Sequence, residues 1–453
     1  MGTSGIDWST LASNAGSSAT AGFDVQTIVD EVLQSQSQEE TQWQSQETTF
    51  NNQATALQQL NSQLQSLLND ANDLTDPLGS FDSMTASVSD SSALSATAGS
   101  GAAVGSHSIS INSLATTSSY YSDELATNST TFGTGSFSLQ VGSGPATTIT
   151  VDDTNNTLTG LAAAINSQNL GVTANVITDS GGARLTLVSN SSGAAGNISI
   201  SNNTTGLTFN LGSTGQDASL TVDGVPIDSS SNTVTTAIAG VTLNLLAETS
   251  SPVTLQVGSD TSQAATAINN FVSDYNTVIA SVNSAFSYNS TTGTTGILMG
   301  DSSVEMVQST LLSDVTASVS GNGGITSLAS LGISMNADGT LSVDNSQLTG
   351  ALASNFQAVQ NFFQTTSTGF AQQFASDLTN LTDPTKGVIA VDLNGINSSV
   401  SSLQSEISDF EANLTTEQQS LTTYYSNINA TLQELPSMLS TVNAQLSSLK
   451  SSS

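Results

Sequence analysis

The sequence predicts an α+β multidomain protein, in which a discontinuous helical stalk built from both chain ends carries inserted antiparallel β-rich head domains. Two observations predict this fold class. Near both ends, apolar residues recur at alternating intervals of three and four, which is typical of heptad helices that pack along one face. Between about residues 82 and 258, apolar and polar residues alternate and Gly, Asn and Ser separate the runs, as in short antiparallel strands.

The N-terminal heptad helix is predicted to begin after Asp24, whose carboxylate can cap the first turn, and to end at Asp76-Pro77. Gln and Glu occupy many of its early seam positions, whereas leucines fill the later ones. We therefore expect weak packing in residues 25–50, which we call the N-terminal leg, and tight packing after it. The seam residues are Val29, Val32 and Trp43 in the leg, and Leu57, Leu60, Leu64, Leu67 and Leu74 in the stalk.

A second apolar stripe runs from Ile396 to Leu449, and residues 425–453 form the C-terminal leg. Pro436 lies within this stripe, and because an interior proline costs a helix roughly 3 kcal/mol, we expect a kink or a break there. The stalk part of the seam comprises Ile396, Val400, Leu403, Ile407, Phe410 and Leu414. The leg part comprises Tyr425, Ile428, Leu432, Leu435, Leu439, Val442, Leu446 and Leu449.

Each stripe needs a partner, since burying one leucine contributes roughly 1.5 to 3 kcal/mol. We expect Leu57–Leu74 to pair with Ile396–Leu414 within one subunit and so to close the stalk. The two legs are expected to be mobile in the isolated protein and to become ordered against another protein. The alternative is an autonomous helical hairpin that needs no other protein.

The pattern predicts five regions. They are a flexible leader (1–24), two terminal coiled-coil legs (25–50 and 425–453), a helical stalk domain with a small hairpin (51–81 and 259–424), a β-rich domain (82–119 and 217–258), and a second β-rich head domain (120–216). The second head contains one predicted helix, which places Leu158, Leu161 and Ile165 on one side and should pack on the sheet.

Composition excludes several classes of function. The chain has 3 Lys and Arg against 36 Asp and Glu, a net charge of -33, so it has almost nothing with which to neutralise nucleic-acid phosphates or an anionic membrane. It contains no cysteine, which excludes disulfides and thiolate metal sites. No apolar run approaches eighteen residues, so membrane insertion is not expected. The first 25 residues lack the basic and apolar regions of a secretory signal, so export, if it occurs, is expected to use a route that reads no such peptide.

Residues that could carry catalysis are scarce. His107 is the only histidine, which argues against a catalytic triad and a multi-histidine metal site, and an ordinary surface role is the better interpretation. Residues 334–345 resemble a calcium loop, but the ligand positions do not fit and a turn at Asp338-Gly339 explains them. We expect no enzyme activity, no metal and no cofactor, although carboxylate-only catalysis stays open.

Several segments together resemble the flagellar filament cap protein, the hook-associated protein 2 family. "AGFDVQTIVDEVLQSQ" (21–36) is similar to the family's opening, and "NNTLTGLAAAINSQN" (155–169) resembles a repeat shared by inserted domains of cap proteins and flagellins. "ILMGDSSVEMVQSTLL" (297–312) resembles part of the C-terminal half. The order of the segments is that of the family. Positions that are usually Lys or Arg in the helices are mostly Gln, Ser and Thr here, so salt bridges between subunits cannot be inferred.

The resemblance implies a non-catalytic ring of subunits, most commonly a pentamer, outside the cell at the tip of the bacterial flagellum. The ring would promote the folding and insertion of exported flagellin and prevent its loss. Further implied partners are the hook-filament junction protein and, before secretion, an export chaperone. The implied route is flagellar type III export without a cleaved signal peptide.

Other functions stay open at this point. The first alternative is a secreted surface adhesin, with a glycan-binding β head on a helical stalk. Such an adhesin would normally carry a signal peptide and place its coiled coil on one side of the head, whereas here the coiled coil is divided between both ends. A junction protein or a flagellin is a nearer alternative, but the order of the segments argues against it.

Overall fold

A computed structural model of the chain describes residues 24–320 and 322–451, with side chains described up to residue 448. The described part contains seven α-helices: α1 (Val25–Thr75), α2 (Leu158–Ser167), α3 (Thr261–Ala285), α4 (Ser302–Thr316), α5 (Asn345–Gln364), α6 (Phe370–Thr382) and α7 (Val388–Ser451). The predicted leader lies almost wholly outside the described residues. None of the described helices is both long enough and apolar enough to cross a membrane.

The strands are short and antiparallel. They are β1 (Met84–Val88), β2 (Leu94–Ala98), β3 (Gly105–Ser113), β4 (Thr117–Ser122), β5 (Gly135–Val141), β6 (Thr147–Val151), β7 (Val172–Thr178), β8 (Ala183–Ser192), β9 (Ile198–Ser201), β10 (Phe209–Ser213), β11 (Ala218–Val222), β12 (Val225–Ser229), β13 (Thr233–Ile238), β14 (Val241–Leu245), β15 (Val253–Ser259), β16 (Tyr288–Asn289), β17 (Thr294–Thr295), β18 (Ile333–Met335) and β19 (Leu341–Val343). The predicted fold class is confirmed, because long helices lie at both chain ends and the antiparallel sheets are inserted between them in the sequence.

The chain divides into two compact units. The helical unit contains the described parts of residues 1–72, 269–348 and 361–453, and the β-rich unit contains residues 73–268 and 349–360. The helical unit is therefore assembled from both ends of the sequence. The finer boundaries predicted for legs, stalk and heads stay predictions.

The first core of the β-rich unit lies between a five-stranded sheet, in the order β1-β15-β3-β11-β12, and a three-stranded sheet, β13-β14-β2. Alternation of apolar and polar residues gives each strand one buried face. Ile109 illustrates the packing, because it pairs with Val222 on one side and with Val253 on the other, and all three side chains are buried.

The second core is built by α2 and two further sheets, ordered β10-β4-β8-β7 and β6-β5-β9. Thr157 caps α2 by accepting a hydrogen bond from the Gly160 N–H, and Asn166 bonds both backbone groups of Ala174 in β7, at 2.8 Å each. The prediction that this helix packs its apolar side on a sheet is confirmed, since Leu158, Leu161 and Ile165 are fully buried in this core.

Both β regions begin and end with paired backbone segments. The first residue of β1, Met84, pairs with Ser259 at the end of β15. Around the second core, Thr116 bridges to Gln216 in the same antiparallel manner. The chain therefore leaves each β region next to the point at which it entered that region.

The helical unit has an aromatic core, which the heptad spacing alone did not predict. Phe362 and Phe370 stack with ring centroids 5.5 Å apart, and Phe271 meets Phe374 edge to face at 5.0 Å. The predicted small hairpin, β18 and β19, lies beside α3 in this unit. Asn276 of α3 bonds both backbone groups of Leu341 in the hairpin, at 2.6 and 2.8 Å, and so fixes its position.

Helix α4 is capped by Asp301, whose Oδ1 accepts hydrogen bonds from the Ser303 and Val304 N–H groups.

The predicted break at Pro436 is wrong, because helix α7 continues through this residue as one element. The residues around Pro436 are exposed, so water can hydrogen-bond to the carbonyl that the proline leaves without a donor.

Candidate functional site: the seam of the terminal helices

The terminal helices α1 and α7 lie antiparallel along a shared seam. Trp43 meets Phe410 edge to face with ring centroids 5.3 Å apart. One turn further along, Gln404 Nε2 donates to Glu47 Oε1 at 2.7 Å, and on the other side Gln36 Nε2 donates to Glu417 Oε1 at 3.1 Å. These three contacts set the register of the two helices.

This register corrects the predicted pairing. Phe410 and Leu414 face the N-terminal leg around Trp43, not the leucine stripe of Leu57–Leu74. Apolar residues recur in α7 at the same alternating intervals over its whole length. The spacing alone therefore does not indicate whether the N-terminal leg or the stripe Leu57–Leu74 is the partner. In the observed register the Trp43 ring contacts the ring of Phe410, and a glutamine–glutamate bond lies on either side of this contact.

The stalk seam residues differ in burial. Leu57, Leu60, Leu64, Leu67 and Leu74 of α1 are all buried. In α7, Leu403 and Ile407 are buried, whereas Ile396, Val400, Phe410 and Leu414 are half-buried. Leu57 to Leu67 pack inside the helical unit, where Leu60 and Ala56 line a small cavity with Ser281 and Ala285 of α3.

The leg seam residues separate into two groups. Val29 is buried, and Val32, Trp43, Tyr425 and Ile428 are half-buried. Beyond Asn429, every described residue of α7 is exposed, including an apolar stripe with exposed fractions from 44 to 62%. This exposed stripe consists of Leu432, Leu435, Leu439, Val442 and Leu446. Leu449 lies in the helix, but its side chain is outside the described part.

The exposed stripe is also almost free of charge. Between residues 418 and 448 the sequence has one charged residue, Glu434, in a chain whose net charge is -33. Residues 25–47 of the opposing helix contain Asp30, Glu31, Glu39, Glu40 and Glu47. The C-terminal leg is therefore a region where another acidic protein can approach with little electrostatic repulsion.

Among the described residues, no Lys, Arg or His side chain contacts a carboxylate across this seam. The two such contacts that the structure describes lie in the β-rich unit, where Arg184 Nη2 is 2.6 Å from Glu124 Oε2 and His107 Nδ1 is 2.7 Å from Asp223 Oδ2. Between α1 and α7, glutamine amides donate to glutamates instead. Such bonds include one neutral partner and are less sensitive to salt than a bridge between two charges.

The calcium-loop candidate at residues 334–345 contains a turn. Asp338 Oδ1 accepts hydrogen bonds from the N–H and the hydroxyl of Thr340, at 3.1 and 2.6 Å, as expected for the turn of the hairpin. These bonds lower the pKa of Asp338, the hydroxyl more than the N–H. Among the described residues, no group of three or more His, Asp or Glu side chains could hold a metal ion.

Comparisons with known proteins identify first a class and then a family. Residues 136–191 match the flagellin hook IN motif, which indicates a flagellar protein. Residues 21–118 and 215–437 match the N-terminal and C-terminal regions of flagellar hook-associated protein 2. The chain belongs to the flagellar hook-associated protein 2 family, as the resemblance in the sequence predicted.

Individual relatives agree with this assignment. The chain is 30% identical to the B-type flagellar hook-associated protein 2 of Pseudomonas aeruginosa, over 74% of this chain and 77% of the relative. It is 28% identical to the flagellar hook-associated protein 2 of Escherichia coli K12, over 87% and 90%. Its fold is similar to the crystal structure of the D1-D2-D3 domains of the E. coli flagellar cap protein FliD, with a TM-score of 0.58, 28% identity, and coverage of 76% of this chain and 99% of that one.

Proposed function

We propose that this chain is the filament cap at the distal tip of the bacterial flagellum. Copies of it form a ring, which we take to have five subunits, and the ring is a non-catalytic platform for exported flagellin. The platform promotes the folding and insertion of flagellin and prevents its loss. The family membership supports this function, as does the likeness to a protein described as a flagellar cap.

One observation carries the proposal for the site. The exposed stripe of the C-terminal leg extends over about four turns of helix, and nothing in the described chain covers it. Burying five such side chains would release several kcal/mol, because apolar burial contributes about 25 cal/mol per Å². We assign the stripe to contact with another flagellar protein, either flagellin or the hook-filament junction protein.

The charge distribution supports the same assignment. A partner that docked elsewhere on an acidic copy would meet carboxylates, whereas the stripe is flanked by Gln, Ser, Thr and Asn and by Glu434 alone. The contact would therefore be apolar and weakly dependent on salt. An export route through the flagellum and an export chaperone that binds the chain before secretion belong to the same proposal.

Complementation of a strain that lacks the gene tests the whole function. The deletion strain is expected to shed monomeric flagellin into the medium and to carry short filaments, and the wild-type gene should restore full length. Full filaments in the deletion strain would contradict the cap function and would favour the adhesin alternative.

A triple variant tests the site. Leu435→Ser, Leu439→Ser and Val442→Ser together remove the centre of the exposed stripe. The matched control is Gln433→Ser, Thr441→Ser and Gln445→Ser on the same leg, which leaves the stripe intact. We expect the stripe variant to fold with an unchanged unfolding midpoint but to leave flagellin in the medium, while the control restores filaments. Full filaments with the stripe variant would show that the exposed stripe is not needed for filament assembly.

A further inference from the structure

The β-rich unit contains two β regions, and the second is inserted in the first. The first β region surrounds the first core and comprises residues 84–113 and 218–259, and the second comprises residues 117–213. Two connecting segments join them: residues 114–116 link β3 to β4, and residues 214–217 link β10 to β11. The relative orientation of the two regions is therefore determined by these segments and by the contacts around them.

The two connecting segments lie side by side. Thr116 and Gln216 form an antiparallel bridge, in which the Thr116 N–H donates to the Gln216 carbonyl at 2.9 Å. Two adjacent segments of backbone would by themselves allow one region to swing on the other, because a few loop residues can absorb the φ and ψ changes of a hinge. The joint is rigid only if further contacts hold the segments and the regions in place.

Each connecting segment is held by an asparagine side chain. In the loop between β12 and β13, Asn232 accepts the Ala115 N–H at 2.7 Å and donates to the Ala115 carbonyl at 2.9 Å. Asn197, immediately before β9, bonds both backbone groups of Gly215 in the same way, at 2.8 and 3.0 Å. Because Asn232 belongs to the first region and Asn197 to the second, each region anchors one of the segments. Backbone rotation in either segment would break two hydrogen bonds.

The second region also contacts a loop of the first directly. Ser192, at the end of β8, donates its hydroxyl to the Ser230 carbonyl at 2.6 Å. Ser230 lies in the same loop as Asn232, between β12 and β13, and this loop is part of neither connecting segment. The Ala194 N–H donates to Asp217 Oδ1 at 2.7 Å and strengthens the same contact. A swing of the second region about the connecting segments would have to break these bonds.

Gly193 permits the close approach at this contact. Its φ of +84° and ψ of 173° lie in a region of backbone space that is almost exclusive to glycine. A Cβ at this position would lie 2.7 Å from Ser230 Cα and 2.5 Å from Asp217 Oδ1. Both distances are far shorter than the normal separation of non-bonded heavy atoms. A side chain here would therefore push the loop that contains Ser230 away from the second region.

We propose that these contacts make a rigid joint, which fixes the second β region in one orientation on the first, and that the joint depends on Gly193. The β-rich unit then moves as one body, and it presents the surfaces of both regions to any partner in a constant arrangement. The proposal does not depend on the cap function.

Distance measurements between two spin labels in the full chain test the joint. The chain contains no cysteine, so Ser87→Cys in β1 and Thr148→Cys in β6 place one label at an exposed position of each region. Pulsed electron–electron double resonance then measures the distribution of distances between the labels. We expect one narrow distribution in this labelled parent, and a distribution about twice as wide after Gly193→Ala, because the opened joint can act as a hinge.

Two further variants separate opening of the joint from other effects. Gly171→Ala, also in the second region, changes a glycine with a φ of +75°, but no described atom outside its neighbours lies within 4 Å of the added Cβ. It adds backbone strain without the clash and should keep the narrow distribution. Ser192→Ala together with Asn232→Leu removes hydrogen bonds without adding a clash, and it should widen the distribution as Gly193→Ala does. Circular dichroism of each variant checks that it has folded, and this double variant decides the test if Gly193→Ala does not fold.

Three results would overturn the rigid joint. One is a wide distribution in the labelled parent, which would show that the regions already swing. Another is a narrow distribution in folded Gly193→Ala or in the double variant. The third is equal widening in Gly171→Ala and Gly193→Ala, which would attribute the effect to backbone strain and not to the contact with Ser230.

Discussion

Leu403 and Leu439 lie on the apolar stripe of the same helix, α7, yet Leu403 is 7% exposed and Leu439 is 62% exposed. The spacing of the neighbouring apolar residues is similar at both positions. The difference is the opposing helix: α1 faces the stripe around Leu403, whereas no described element faces it around Leu439. Heptad spacing therefore defines a face that can be buried, but the partner for that face is set elsewhere in the chain or in another protein.

The largest expected effect contrasts a buried and an exposed leucine. Leu64→Ala removes a fully buried side chain and should lower the free energy of unfolding by about 2 to 5 kcal/mol, through lost burial and the cavity left behind. Leu439→Ala should change it by less than about 0.5 kcal/mol. Denaturant unfolding followed by circular dichroism measures both. Equal losses would mean that the C-terminal leg is covered in solution.

A smaller effect is expected at the contact that sets the register. Trp43→Ala removes a half-buried ring and its edge-to-face contact with Phe410, and it should cost about 2 kcal/mol. Phe410→Leu keeps apolar volume and should cost less. The exposed neighbour Gln44→Ala is the control. If Trp43→Ala has no effect on unfolding, the two helices are not joined at this level in the isolated chain.

The amide bonds across the seam should contribute still less. Gln404→Ala deletes the donor to Glu47 on an exposed surface and should cost about 1 kcal/mol or less, with little dependence on salt. Glu47→Gln retains an acceptor for that donor and should be nearly neutral. If the loss of unfolding free energy in either variant depended on salt, this would indicate an ionic interaction and contradict the amide–carboxylate contact described here.

The smallest effect on global unfolding is expected at Pro436. Pro436→Ala restores a backbone donor in a helix whose neighbouring residues are exposed, so the unfolding midpoint of the helical unit should barely move. Hydrogen exchange of residues near 436 should slow, because the local helix gains a hydrogen bond. Unchanged exchange would show that the proline does not limit the stability of this leg.

Local features of the fold were predictable from the sequence. The apolar side of α2 and the turn at Asp338-Gly339 depend on residues within a few positions of one another, and the structure agrees with the prediction for both. Asp24 likewise caps α1, with its carboxylate accepting the Gln26 N–H at 3.0 Å. Side chains that interact with their own backbone leave a recognisable local pattern.

Features that depend on distant partners were not predictable. The register of α1 on α7 places Trp43 against Phe410, which is one of several apolar residues with equivalent spacing. The two hydrogen bonds between the Asn276 side chain and the backbone of Leu341 likewise join residues that are 65 positions apart. An asparagine on a helix has no sequence signature that predicts such a distant partner, because the fold supplies it.

The antiparallel pairing of Met84 with Ser259, and of Thr116 with Gln216, has an evolutionary consequence. A segment whose two ends lie side by side can be lengthened, exchanged or deleted while the junction that remains keeps its geometry. Each β region can thus behave as an interchangeable cassette, and the second is nested within the first. Surface variation can accumulate in these cassettes while the paired terminal helices keep their sequence constraints.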